Sequence, residues 1–118
     1  EAVTLTLPWP PSVNSYWRRV GNKTILSAQA REYRGAATAA CLEQGAPRLG
    51  TARIRIVINA CPPDRRQRDL DNLHKGVLDA LAFAGVFDDD SQVDDLRIVR
   101  GELDRPEGSV MVWIEAIP

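Results

Sequence analysis

The chain has 118 residues, 44% of them apolar and 26% charged, with a formal net charge of −1. That is the size and composition of one globular domain, residues 1–118, without repeats or low-complexity tracts. No apolar run approaches the roughly 20 residues a membrane helix needs, and no basic-then-apolar segment opens the chain, so a cytoplasmic protein is expected.

In chain order, Val3–Leu7 alternates apolar and polar residues as a strand does. Leu7-Pro8-Trp9-Pro10-Pro11-Ser12 cannot continue it, because proline supplies no ladder donor, and should be an extended connector. Tyr16–Arg19 and Thr24–Leu26 flank Gly21-Asn22 as a short hairpin. Ser27 caps a helix running to about Gln44, with Gly45 as its stop and Ala30, Tyr33, Ala37, Ala40 and Cys41 on one face.

Arg53–Ala60 alternates Ile54, Ile56 and Ile58 and should be a central strand, ended by Cys61-Pro62-Pro63. Asp71 then caps a second helix through about Ala84, with Gly85 after it and Leu73, Val77, Leu78 and Leu81 as its apolar stripe. Val86-Phe87 tucks into the core. Leu96–Leu103 and Val110–Ile117 are two further strands whose spacing predicts an antiparallel hairpin. Val110–Ile117 is apolar on both faces, as in a strand covered on two sides.

The order is β, small hairpin, α, β, α, β, β. It predicts an α/β (α+β) fold: one mixed sheet with two helices packed on it. Cys41 and Cys61 match no metal-binding spacing and read as buried, reduced thiols.

A pI near 5.8 argues against a nucleic-acid partner, but the distribution of charge argues for one. Residues 1–68 hold eleven Lys/Arg against four acids, and residues 69–118 hold four bases against twelve acids. A protein that grips a polyanion and also needs carboxylates for a metal has that division.

The sign changes at Arg65-Arg66-Gln67-Arg68-Asp69-Leu70-Asp71. Asp69 and Asp71, two apart on extended backbone, point the same way roughly 7 Å apart, within reach of one metal ion. Helix capping would explain Asp71 alone, but not Asp69 or the arginines. Lys75, four residues on, shares the helix face of Asp71 and can stabilise charge on a phosphate. It equally suits an ordinary pair with Asp71 or Asp79.

Asp88-Asp89-Asp90 is a run of mutually repelling carboxylates that calls for a cation or for solvent. Counted as a calcium loop it has Val93 at position 6 and Val99 at position 12, so that reading fails. Oxygen ligands alone favour Mg²⁺, with Mn²⁺ able to substitute. His74, the one histidine, reads as a surface residue. A helix of 14 residues spans about 21 Å, so the two acidic clusters meet in one chain only if the helix is shorter or bent. Otherwise they meet across a subunit interface.

The segment Pro63-Asp64-Arg65-Arg66-Gln67-Arg68-Asp69-Leu70-Asp71-Asn72-Leu73-His74-Lys75 resembles the signature of the RusA family of Holliday junction resolvases. Ala80–Gly85 followed by Asp89-Asp90-Ser91-Gln92-Val93, the opening Leu7–Asn14 and Tyr33-Arg34 are also similar to that family. The resemblance implies a RusA-like fold and a homodimer that resolves DNA four-way junctions by paired, Mg²⁺-dependent nicks in recombination and repair. It implies catalytic roles for Asp69, Asp71, Asp90 and Lys75, with Asp89 a further metal ligand. It implies DNA contacts from Arg65, Arg66 and Arg68, and Arg18, Arg19 and Lys75 are added as candidates. Two other classes compete: a junction-binding module that does not cut, and a metal-dependent phosphoesterase for small phosphates.

Overall fold

The computed structural model describes residues 2–118. Its elements are β1 (Ala2–Pro8), α1 (Val13–Tyr16), β2 (Trp17–Val20), β3 (Lys23–Leu26), α2 (Ala28–Glu43), β4 (Ile54–Cys61), α3 (His74–Phe83), β5 (Val93–Arg100) and β6 (Ser109–Ala116). Short 3₁₀ turns at Leu70–Asn72 and Asp90–Gln92 precede α3 and β5.

Four strands form a mixed sheet in the order β1-β6-β4-β5, and β2 and β3 form a separate hairpin. β4 and β5 run parallel, with α3 as the crossover between them. β6 is antiparallel to both β1 and β4. The predicted hairpin of the last two strands is therefore not formed: β4 lies between them. The cause is visible in composition. β5 carries Asp94, Asp95, Arg97 and Arg100 and takes the solvated edge, whereas β6 buries Val110, Val112 and Ile114 and takes the interior.

Leu5 and Leu7 from β1, the three β6 residues, and Ile54, Ile56, Ile58 and Ala60 from β4 make one buried sheet face. The helices cover that face, contributing Tyr33, Ala37 and Cys41 from α2 and Val77, Leu78 and Leu81 from α3. The opposite face, with Val57, Met111 and Trp113, holds no buried residue. The double-sided apolar pattern of β6 is thus covered on one side within the chain.

Ser27 accepts a hydrogen bond from the Ala30 N–H at 3.1 Å and caps α2 as its residue type predicts. Both long helices end alike. Ala46 N–H reaches back to Cys41 O and Val86 N–H to Leu81 O. The intervening Gly45 and Gly85 have φ of +67° and +87°, a left-handed turn that favours glycine. That turn sends Val86 and Phe87 into the core, as expected. Cys41 is buried, Cys61 half-buried, and both are free thiols.

One unforeseen element is α1, which follows the predicted extended connector, takes Tyr16 out of the predicted hairpin strand and delivers it, fully buried, to the helix seam. Gly76 of α3 faces it: a Cβ there would stand 3.2 Å from the Tyr16 ring. The Tyr16 hydroxyl donates to Asp79. Asp79 also receives Arg34 Nε at 2.8 Å and Nη2 at 2.9 Å, a bidentate pair joining α2 to α3. The Arg34 guanidinium lies 4.7 Å from the Phe83 ring centre.

Candidate active site

The loop after β4 is organised by Asp64. Its carboxylate accepts Arg66 N–H at 2.9 Å and Arg68 Nη1 at 2.8 Å. The Arg68 guanidinium and the Arg66 amide hold the Asp64 carboxyl down at about 2. Arg100, the last residue of β5, donates to Arg68 O at 3.0 Å, which ties the loop to the sheet edge.

Of the three loop arginines, Arg68 is therefore committed within the protein, and it also lies 5.6 Å from the Trp9 ring centre. Arg66 pairs loosely with Asp64 at 3.4 Å and remains exposed. Arg65 is exposed, with no acidic partner among the described residues. Arg18, Arg19 and Lys23 lie exposed on the β2–β3 hairpin, whose turn Gly21 opens at φ +61°.

Asp69 follows on extended backbone (φ −88°, ψ 130°), and Asp71 sits inside the 3₁₀ turn. Neither side chain makes a capping hydrogen bond, although Asp69 occupies the N-cap position of the 3₁₀ turn. α3 begins only at His74, behind Leu73, and has no side-chain cap. The expectation that Asp71 caps this helix is corrected, because the 3₁₀ turn comes between them. The correction leaves both carboxylates exposed and unspent on local structure. It also removes the regular helical spacing from Asp71 to Lys75. Lys75 is exposed and makes no ion pair among the described residues, since Asp79 is occupied by Arg34 and Tyr16.

His74 is not the surface histidine expected. It is half-buried, and its Nδ1 is buried without a hydrogen-bond partner.

The second acidic run is pinned by Gln92, which is buried. Its Oε1 accepts the N–H groups of Asp88 (3.0 Å) and Asp89 (2.8 Å). Its Nε2 donates to the carbonyls of Gly50 (2.9 Å) and Ala52. Asp89 caps the following 3₁₀ turn by accepting Ser91 N–H at 2.9 Å, and hydrogen bonding from Ser91, its side chain first and then its backbone, lowers the Asp89 pKa. Asp88 and Asp90 are exposed. Gln92 is the residue sequence reasoning missed. Its signals were its place in the Asp89-Asp90-Ser91-Gln92-Val93 segment and its being a lone amide between the acids and the first apolar residue of a strand.

α3 has ten residues, about 15 Å, not the 14 expected. The first acidic run is tied to the end of β5 at Arg100, while Asp90 precedes its start at Val93. Among the described residues no three acidic, His or Cys side chains gather as a metal-ligand set. Mg²⁺ needs fewer: it is commonly held by one or two carboxylates plus substrate phosphate oxygens, keeping several waters. Asp69 and Asp71, exposed and uncommitted, fit that requirement in chemistry.

The basic and acidic halves also compensate each other. Arg34 pairs with Asp79, Arg53 with Asp94, and Arg55 with Asp95 and Glu115. Asp69, Asp71, Asp88 and Asp90 take no part in these pairs.

A family model described as Endodeoxyribonuclease RusA matches residues 8–115. The chain is 43% identical over 95 residues to the crossover junction endodeoxyribonuclease rusA of Enterobacteria phage HK97, covering 80% of this chain and 79% of that one. It is 44% identical over 98 residues to the crossover junction endodeoxyribonuclease RusA of Escherichia coli K12, covering 82% and 81%. The relative from Enterobacteria phage 82, with the same printed name, is 44% identical over 97 residues, covering 81% and 80%. With nearly the whole length matched, this chain belongs to the RusA family of endodeoxyribonucleases.

Proposed function

We propose that the chain is a crossover junction endodeoxyribonuclease that nicks DNA four-way junctions in a Mg²⁺-dependent reaction. The observation that carries this reading is the division among the acids. Asp79, Asp94, Asp95 and Glu115 are paired with arginines, while Asp69, Asp71 and Asp90 are left exposed and Lys75 is left unpaired among the described residues. Free carboxylates facing solvent gain nothing for a module that only binds phosphate.

Asp69 and Asp71 would hold the metal, and Asp90 with the second oxygen of Asp89, which lie at the other end of β5, would join them across the interface of a homodimer. The bound ion supplies a water of lowered pKa and offsets phosphate charge. Lys75 neutralises negative charge that develops on the scissile phosphate. Arg65, with Arg18 and Arg19 on the projecting hairpin, meets the phosphate backbone. Arg66 contributes through its loose hold on Asp64, and Arg68 shapes the loop.

A homodimer fits the substrate, since a twofold pair of sites matches two strands to be cut. The uncovered sheet face with Met111, Trp113 and Val57 is available to a second copy. The proposed setting is the bacterial cytoplasm, on nucleoid or phage DNA.

The test is incubation with a labelled four-way junction, its linear duplex and a nucleoside monophosphate, with and without Mg²⁺. Paired nicks in the junction alone, only with Mg²⁺, are expected. Binding without nicking would leave a binding module, and hydrolysis of the monophosphate would leave a small-molecule phosphoesterase.

A further inference from the structure

Beside Asp69 the surface opens into a cavity of about 480 Å³, walled by Trp9, Ser12, Gln67, Asn72 and Leu73. Its walls come from distant parts of the sequence: the proline-rich segment after β1 and the turn before α3. Trp9 is half-buried between proline neighbours. Pro10 is buried, and the Pro8 carbonyl accepts the Tyr33 hydroxyl at 2.8 Å. The backbone that carries the indole is thus held in place before any ligand arrives. Neither the Gln67 nor the Asn72 side-chain amide is hydrogen-bonded among the described residues, and Leu73 closes the cavity with a buried apolar surface.

We propose that this cavity is a nucleobase pocket. It takes one unpaired base of the junction next to the cut, stacked on Trp9 and read along its edge by Gln67 and Asn72. The proposal rests on the endonuclease reading above and adds the groups that choose where the cut falls.

The chemistry selects a base over a phosphate. The one cation lining the cavity, Arg68, has Nη1 committed to Asp64, so the lining offers no free cation to hold a phosphate. What remains is an aromatic surface and two free amides, each offering two donors and an acceptor, as base edges require. A four-way junction supplies the ligand. Bases at its crossover lack a continuous stack, so drawing one out costs least there. A pocket adjoining Asp69 couples the identity of that base to the position of the phosphate at the metal site.

The experiment uses four-way junctions in which each nucleotide near the nick is replaced, one at a time, by an abasic residue. Affinity without divalent metal and nicking with Mg²⁺ are both measured, for the wild type and for Gln67→Ala, Asn72→Ala and Trp9→Leu, with thermal melts of each protein. Gln67 is exposed, so at least that variant retains the fold. One abasic position is expected to weaken wild-type binding and nicking roughly tenfold, the scale of one lost base–aromatic stack. The same abasic position should cost the variants little more, because the pocket no longer uses that base. Independent, multiplicative losses, or full tolerance of every abasic position by a wild type that binds the junction, would overturn the pocket. Tight, base-dependent binding without any nicking would instead overturn the endonuclease reading and leave the pocket standing.

Discussion

Asp79 and Asp71 lie on either side of Lys75 in the chain, and the fold treats them in opposite ways. Asp79 accepts two hydrogen bonds from Arg34 and one from Tyr16, and it binds three helices into one seam. Asp71 sits in an exposed turn, caps nothing and pairs with no cation among the described residues. A carboxylate with a full set of partners stabilises the folded state. A carboxylate held free stays available to a ligand. The difference between the seam and the acidic edge separates stability from chemistry, and each can be perturbed without the other.

The largest effect is expected at the edge. Lys75→Ala should lower junction nicking by about 10²–10³-fold, the scale for losing one preorganised charge-stabilising donor. The melting temperature should not move, because Lys75 is exposed and unpaired. A large drop in melting temperature would mean that Lys75 belongs to the structural side of the comparison.

At the seam, Asp79→Asn leaves Arg34 without its counter-charge. Both side chains are about three-quarters buried, with exposures of 23% and 25%, so a loss of about 2–3 kcal/mol is expected. Tyr16→Phe keeps the packing against Gly76 and removes one hydroxyl, for about 1 kcal/mol. Denaturant unfolding checks both. Equal losses would mean that the Arg34 ion pair adds no more to the seam than the single Tyr16 hydroxyl bond.

The smallest effect is one of pH. Burial pushes the Asp79 carboxyl up, but the hydrogen bonds from Arg34 and Tyr16 outweigh it and hold its pKa below the ordinary value. Asp64 is held at about 2, chiefly by Arg68. Both folded-state values are depressed. Their contributions are therefore complete above the unfolded carboxylate pKa, near 4, and fade as pH falls through the folded values. Melting temperature should decline from about pH 4 toward pH 2, less steeply in Asp79→Asn. Asp64 is only partly buried and its charge is screened by solvent, so it adds little to the slope. The Tyr16 hydroxyl is pushed up, first by burial and then by Asp79, so it remains a donor throughout.

Much of this was legible in residue types. The alternation of Ile54, Ile56 and Ile58, the Ser27 cap and the glycines after both helices each act locally, and local signals survive folding. The pairing of β5 and β6 was not legible, because strand order depends on which strand best tolerates burial on both flanks. The start of α3 was misplaced because an aspartate before an apolar stripe has the pattern of a cap whether or not a 3₁₀ turn intervenes. The Asp69 and Asp71 pair was singled out by its spacing, whereas the helical spacing that linked Lys75 to Asp71 does not survive the intervening 3₁₀ turn. The engagement of Arg68 by Asp64, the role of Gln92 and the Trp9 cavity were not legible, since each joins residues through side-chain geometry that no periodicity records.

The central claim is that the acids of this chain divide into structural and catalytic sets. It is tested most directly by measuring Mg²⁺-dependent junction nicking and melting temperature together for Asp71→Asn and Asp79→Asn. Asp71→Asn should lose more nicking than the roughly 10–100-fold that removing even an outer-shell partner of a metal site costs, at an unchanged melting temperature. Asp79→Asn should melt lower while retaining nicking at temperatures where it is folded. Full nicking by a folded Asp71→Asn protein would contradict the account.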